Sequence, residues 1–397
     1  MTRPAIPAER YAERLARVQA LLPGHDASAM LVGVGPDLLW LTGYNAQPLE
    51  RLTMLVLPAD GRPTLVVPRL EVAAAEAAAG VTPANLDLLS WDETDDPFEL
   101  VADRLGASKS RPEIQLGALG GTWGRLGGLL VSDRLWATFL LRLQAAVPDA
   151  AFGVASAALA ALRAVKDAEE IALLRLAAQA ADRAVSAIAS GRLVGRSEAD
   201  IAAEVRQRLV DEGHELAVFG IVAAGPNSAS PHHEPSDRVV AAGQPLLFDI
   251  GGMLGGYSSD ITRTVWVAGD EGSGPPDEYA RLYEAVRRAQ SEATAAARAG
   301  VACEAVDEVA RRVIGDAGFG PQFIHRTGHG IGLEVHEEPY LVAGNEAALA
   351  IGNCFSVEPG VYIDGRYGAR IEDIVVCTSD GPEPLNQVPR ELLVVRG

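Results

Sequence analysis

The sequence predicts a two-domain α/β protein, with an N-terminal α/β domain over residues 1–160 and a second, larger domain over 161–397. Three observations carry this. The 397 residues exceed one ordinary domain. Short apolar runs of strand character alternate with helical patterns through the first part. The composition then shifts between 150 and 165 to small apolar residues, "AAFGVASAALAALRAV".

In the first domain, "AMLVGV", "LLWLTGY", "LTMLVLP" and "TLVVPR" read as strands, split by Gly, Pro and Asp. "LEVAAAEAAAG" and "SDRLWATFLLRLQAAVP" read as helices, the second with Ser132 as N-cap and a stop before Pro148. No catalytic cluster stands out there. The second domain opens at Asp167 on a long amphipathic helix with acids in its first turn, a placement the helix dipole favours. Further helices follow in "SEADIAAEVRQRLVDEG" and "DEYARLYEAVRRAQSEATAAARAG". Two glycine-punctuated strand pairs complete it, "PLLFDIGGMLGGYSSDITRTVWV" and "CFSVEPGVYIDGRYGARIEDIVVC".

Composition narrows the function classes. Hydrophobic residues make up 48% and charged ones 22%, a globular balance with material for a large core. A net charge of −19 opposes nucleic acid or an anionic membrane as partner. Three cysteines without a CxxC argue against a disulfide framework or a thiolate zinc site. The N-terminus has no apolar signal core, and no run of about 18 apolar residues occurs. The expected address is cytoplasmic.

The chemistry lies in the strand pairs. With the first turning near Leu254-Gly255, Asp249 falls opposite Asp260. With the second turning near Arg366, Glu358 lies diagonally across from Glu372. Asp249 lies between Phe248 and Ile250, and Glu358 and Glu372 lie within apolar strands; buried carboxylates cost several kcal/mol unless paired or metal-bound. Two pairs of acids point to one shared cation site, best filled by two divalent ions with bridging carboxylates. The competing reading pairs some of the acids with Arg263 or Arg370.

The stretch "TGHGIGLEVHEEP", Thr327–Pro339, has neither the P-loop lysine nor HExxH. Its glycines allow close backbone approach beside an imidazole, which makes His329 the natural nitrogen ligand for the acids. His336, seven residues on, could bind or protonate part of a substrate.

Together "GPNSASPHHEPSDR", "FDIGGMLGGYSSDITRT", "HRTGHGIGLEVHEEP", "SVEPGVY" and "ARIEDIV" resemble the pita-bread metallopeptidases, family M24, in their proline-specific branch of Xaa-Pro dipeptidases (prolidases) and Xaa-Pro aminopeptidases. The motifs occur in family order over 165–397, and "LLWLTGY" fits the family's creatinase/prolidase-like N-terminal α/β domain. The resemblance implies an α+β catalytic domain with two pseudo-symmetric halves around a curved antiparallel sheet. It implies two divalent ions, foremost Mn2+, with Co2+, Zn2+ or Fe2+ as alternatives, held by Asp249, Asp260, His329, Glu358 and Glu372. Asp260 and Glu372 would bridge. It further implies hydrolysis of the bond before proline, with Glu358 as base. His232 and His336 would hold the substrate and stabilise the oxyanion. Arg370 would orient an acid ligand, with Arg263 a further candidate. His233 is a bystander that exchanges roles with His232 if the alignment slips by one, and His325 is a pocket wall. The expected substrates are small peptides with proline at the second position, and the expected assembly is a homodimer whose N-terminal domain shapes the pocket. Dipeptidase activity leads, with aminopeptidase action on longer peptides as the alternative. Methionine aminopeptidase, which lacks the N-terminal domain, and creatinase, which lacks the ligands, fit less well. A non-catalytic binding relative, typically without the full ligand set, is the reading from another class.

Overall fold

A computed structural model describes residues 4–107, 127–269 and 274–396. The chain divides into two compact units, Ile6–Leu162 and Arg163–Gly397, the latter together with the first five residues.

The first unit is built on a six-stranded mixed sheet. Its order is Asp87–Trp91, Thr64–Pro68, Met54–Pro58, Ala27–Gly33, Gly128–Val131 and Phe152–Val154. The central strands are buried along nearly their whole length, so they read as continuous apolar runs rather than as alternating ones. Two sequence expectations fail here. "LLWLTGY" is mostly helix, Pro36–Thr42, not strand. Proline at its first turn presets φ, and Gly43 closes it in the left-handed conformation. The apolar run Leu38–Leu41 was too short for periodicity to separate the two states, and the flanking caps decided. Ser132 is likewise no N-cap, because that helix runs Ala137–Ala146 after Trp136. The Ser132 hydroxyl instead accepts the Gly33 N–H at 3.0 Å.

In the second unit the opening helix, Ala168–Ala189, follows the sequence closely. Asp167 caps the Glu170 N–H, and the Glu170 carboxylate accepts the Asp167 N–H, each at 2.9 Å. This helix and Glu198–Asp211 pack their apolar faces on one mainly antiparallel sheet, which holds Leu216–Ala224, Gln244–Leu254, Tyr257–Ser258 and Ile261–Ala268, with Val394–Arg396 parallel to the last. Helices Asp277–Ala296 and Cys303–Asp316 cover a second sheet. It holds Glu337–Leu341, Gly328–Gly330, Cys354–Val357, Asp373–Thr378 and Gly381–Pro384. A separate hairpin, Gly360–Ile363 with Tyr367–Arg370, extends from it. Two helix pairs thus each back one sheet. The sheets meet where Thr262 bridges Glu372, whose N–H donates to the Thr262 carbonyl at 3.1 Å.

Both hairpin registers differ from the expected ones by a small step. The first hairpin turns at Gly255-Gly256, both at positive φ, instead of Leu254-Gly255. A two-residue turn with left-handed φ at both positions matches strand twist and selects the glycine pair. Asp249 therefore faces Thr262, with Ile250 facing Ile261. Asp260 lies one diagonal step away on the same face. In the second hairpin, Val357 pairs with Asp373 and Gly360 with Arg370 in a single register. That register sets Glu358 across from Glu372 rather than diagonal to it.

Candidate metal centre

The acids converge at the junction of the two sheets. Asp249, Asp260, Glu372 and His329 are all buried. One donor atom from each of Asp260, His329 and Glu372 lies within 4.8 Å of the others. His329 Nε2 stands 3.2 Å from Glu358 Oε1 and 3.7 Å from Asp260 Oδ2. The other ring nitrogen, Nδ1, lies 3.1 Å from the Gly330 carbonyl. A proton on Nε2 makes the ring a donor to Glu358, while the tautomer with its proton on Nδ1 offers the Nε2 lone pair to a cation shared with the carboxylates.

The glycine run supplies the close approach. A Cβ on Gly328 would lie 1.9 Å from the Ser356 carbonyl oxygen, and one on Gly330 would lie 2.1 Å from that of Glu338. Only glycine lets His329 ride this near the neighbouring strands. Ser356 links the strands further, accepting the His329 N–H at 3.0 Å and donating to Glu358 at 3.1 Å.

The electrostatics are those of an under-neutralised acid cluster. Burial first, then the Arg370 charge and the opposing charge of Glu358, set Asp249, whose pKa lies above its ordinary value. Asp260 is pushed well up by burial and then by Glu372, Asp249 and Glu358, and Glu372 is pushed well up by burial and then by Glu358 and Asp249. Burial acts on Glu358 in the same direction, but the facing His329 outweighs it and draws the carboxyl down to about 2. Two buried oxygens, Asp249 Oδ1 and Glu372 Oε1, have no hydrogen-bond partner. Orphaned acceptors in a buried acid cluster are what a divalent cation satisfies, and a set of carboxylates with one imidazole suits such an ion. The residues present fit a metal.

Arg370 Nη2 donates to Asp249 Oδ2 at 2.5 Å. Its Nε donates to Thr262 Oγ1 at 3.1 Å and its Nη1 to the Tyr362 hydroxyl at 2.7 Å. Arg263 belongs elsewhere, pairing with Asp373 at 2.6 Å and donating to the Glu372 carbonyl at 2.7 Å. It fixes the backbone of Glu372 and not its carboxylate. The His336 ring stands edge-on to His329, centroids 4.1 Å apart. His232 lies on an exposed loop, and the carbonyl of the preceding Pro231 faces the Arg370 guanidinium at 3.4 Å. His325 does line this region: its Nε2 meets the Tyr362 hydroxyl at 2.9 Å.

The residue patterns matched known family models in two places. Residues 172–379 match metallopeptidase family M24, and residues 14–165 match the creatinase/prolidase N-terminal domain. The chain belongs to metallopeptidase family M24. Members of this family similar over nearly the whole chain include the probable dipeptidase PepE of Mycobacterium tuberculosis. It is 43% identical over 390 residues, 98% of this chain and 97% of that protein. The Xaa-Pro dipeptidase of Lactobacillus helveticus is 36% identical, over 90% and 92% of the two chains. The crystal structure of dipeptidase PepE from Mycobacterium ulcerans superposes with a TM-score of 0.88 at 41% identity, over 99% of this chain and 100% of the other. This M24 member is therefore a metal-dependent peptidase with the two-domain, pita-bread architecture expected from its sequence. Among its described residues, no helix is long and apolar enough to cross a membrane.

Two residues around the acid cluster escaped the sequence reading. Thr262 donates to Glu372 Oε2 at 2.6 Å and so joins both acid pairs. Tyr362 connects Arg370 to His325. The signal was present for Thr262, because a corrected register puts it opposite Asp249. For Tyr362 it was not: a tyrosine in "GVYIDG" reads equally as a strand residue facing the core.

Proposed function

We propose that this peptidase hydrolyses the peptide bond preceding proline, with Xaa-Pro dipeptides as its main substrates. The observation that carries the metal part of this reading is the orphaned, buried pair of oxygens on Asp249 and Glu372, the latter in the group Asp260, His329 and Glu372 whose donor atoms lie within 4.8 Å of one another. Four carboxylates against the single Arg370 guanidinium leave three negative charges, more than one divalent ion neutralises. The reading is therefore a dinuclear site held by Asp249, Asp260, His329, Glu358 and Glu372, with Mn2+ the first candidate for an oxygen-rich set. When bound, such ions supply Lewis-acid activation of water and carbonyl. The chain does the rest. Glu358 takes the proton of the attacking water on its carboxylate. His232 and His336 hold the substrate and face the developing oxyanion. Arg370 keeps Asp249 in place. The proline preference is supported by the Xaa-Pro dipeptidase relative at 36% identity. A cytoplasmic homodimer belongs to the same reading.

The test supplies Mn2+, Co2+ and Zn2+ separately to chelator-stripped protein and compares Xaa-Pro dipeptides with Xaa-Pro-Xaa tripeptides and with proline-free dipeptides. Metal-dependent cleavage of the first set alone is expected. Faster cleavage of tripeptides would make it an aminopeptidase, and indifference to proline would remove the specificity.

A further inference from the structure

Glu198 opens the helix Glu198–Asp211 directly after its N-cap Ser197. A glutamate in the first turn is ordinarily a solvated partner of the helix dipole. This one is fully buried. Its Oε1 accepts the Ala224 N–H at 2.7 Å and the Asn227 amide at 3.0 Å. Its Oε2 accepts the Ser236 N–H at 3.1 Å and the Ser236 hydroxyl at 2.7 Å, and faces His233 Nε2 at 2.8 Å. Burial works against the charged form, but this ring of donors outweighs it and holds the carboxyl below its ordinary pKa.

All of these donors come from one stretch, 224–236, the loop that carries Pro231 and His232. The backbone of the same helix start repeats the tie. The Glu198 N–H donates to the Arg238 carbonyl and the Ala199 N–H to that of Ser236, each at 3.0 Å. On its other side the loop meets the centre itself. Ser228 Oγ accepts the Gly368 N–H at 2.9 Å, and the Pro231 carbonyl faces Arg370, which holds Asp249. The loop is thus clamped between one buried carboxylate and the arginine of the metal site. His233, which the sequence left as a bystander, is part of the clamp.

We propose that Glu198 is a positioning residue for the peptidase reaction: it fixes the 224–236 loop so that His232 meets the substrate and Pro231 seats Arg370 against Asp249. This rests on the assignment of His232 to substrate binding. Glu198→Gln keeps shape and one oxygen, but sets an amide against Ser236 and His233.

The experiment uses the full chain loaded with Mn2+ and an Xaa-Pro dipeptide. For E198Q, kcat/KM is expected to fall about tenfold or more, chiefly through KM, as a displaced binding loop requires. Metal content at saturating Mn2+ should match wild type, so that the loss in kcat/KM is read on loaded protein. Amide exchange over 224–238 should speed up while the helix 198–211 and the strand 244–254 keep their protection. H233A should show a smaller loss in the same direction, and the double variant should be less than additive. Unchanged kinetics with unchanged exchange overturns the proposal. So does a uniform rise in exchange with unchanged KM, which marks a purely structural role. Wild-type protein that cleaves no Xaa-Pro peptide under any metal overturns the functional reading itself, and this inference with it; that failure shows in the wild type alone.

Discussion

Replacing Asp260 by asparagine should stabilise the metal-free protein while abolishing its response to metal. Asp260 is buried against Glu372, Asp249 and Glu358, and its donor oxygen lies within 4.8 Å of those of Glu372 and His329. Two like charges about 5 Å apart at an effective dielectric of about 20 repel by about 3 kcal/mol. Protons retained by the cluster relieve part of this, so we expect a gain of about 2 kcal/mol, or about 4–8 °C in Tm for a unit of this size. The sign with pH follows from the raised pKa of Asp260. Its cost is absent below the ordinary value of 3.8, grows as pH rises from there to the elevated one and is complete above it, so the advantage of the variant should shrink in acid. Wild type, by contrast, should gain about 2.7 kcal/mol with manganese at one hundred times its Kd. Asp260→Asn should gain far less and show no turnover. Calorimetry of chelator-stripped protein with and without manganese reads all of this. A metal-free variant less stable than wild type, or one with the full manganese gain, would refute the charge argument.

Three further outcomes follow from other contacts. Arg370→Lys keeps a charge but cannot reach Asp249, Thr262 and Tyr362 together, so metal affinity measured by chelator competition should fall about 10–100-fold; unaltered affinity would remove its orienting role. Lys166 is buried against Glu337 at 2.7 Å, and Arg163 holds the other oxygen of that carboxylate at 2.5 Å. Lys166→Met should therefore cost about 3 kcal/mol in urea unfolding, and a cost near zero would show that Arg163 alone suffices. Burial pushes the Cys303 thiol up to about 11 and that of Cys354 up to about 12, and raises Cys377 as well. A thiol reagent at neutral pH should label none of the three until the protein unfolds, and rapid labelling of the native protein would contradict their burial.

How far the sequence reaches is clearest in the strands around the acids. Asp249, Glu358 and Glu372 stood in apolar strands, and that local pattern was enough to forecast the burial of Asp249 and Glu372. The pairing was not local. The sequence "LGGY" permits a turn on either Leu254-Gly255 or Gly255-Gly256, and the choice shifts every partner of Asp249. Since side chains alternate with period two, the shift left both aspartates on one face, and the cluster survived the error. The short helix Pro36–Thr42 had no such protection, because its four-residue apolar run, Leu38–Leu41, carries no readable period. Glu198 was the least legible of all. Its position predicts a solvated helix-opening acid, and only the folded loop supplies the donors that draw it inward.

The place of the centre in the fold explains why metal and architecture belong together. Asp249 and Asp260 come from one sheet, and His329 and the two glutamates from segments of the other. Between the sheets Thr262 binds Glu372 through both backbone and side chain, at 3.1 Å and 2.6 Å, while Arg370 crosses from the second half to Asp249. Without cations, each of these seams pulls together halves whose carboxylates repel. A bound cation reverses the sign of that term at the same atoms. Metal binding should therefore tighten the junction itself, slowing amide exchange at Thr262 and Glu372 more than in either sheet's interior.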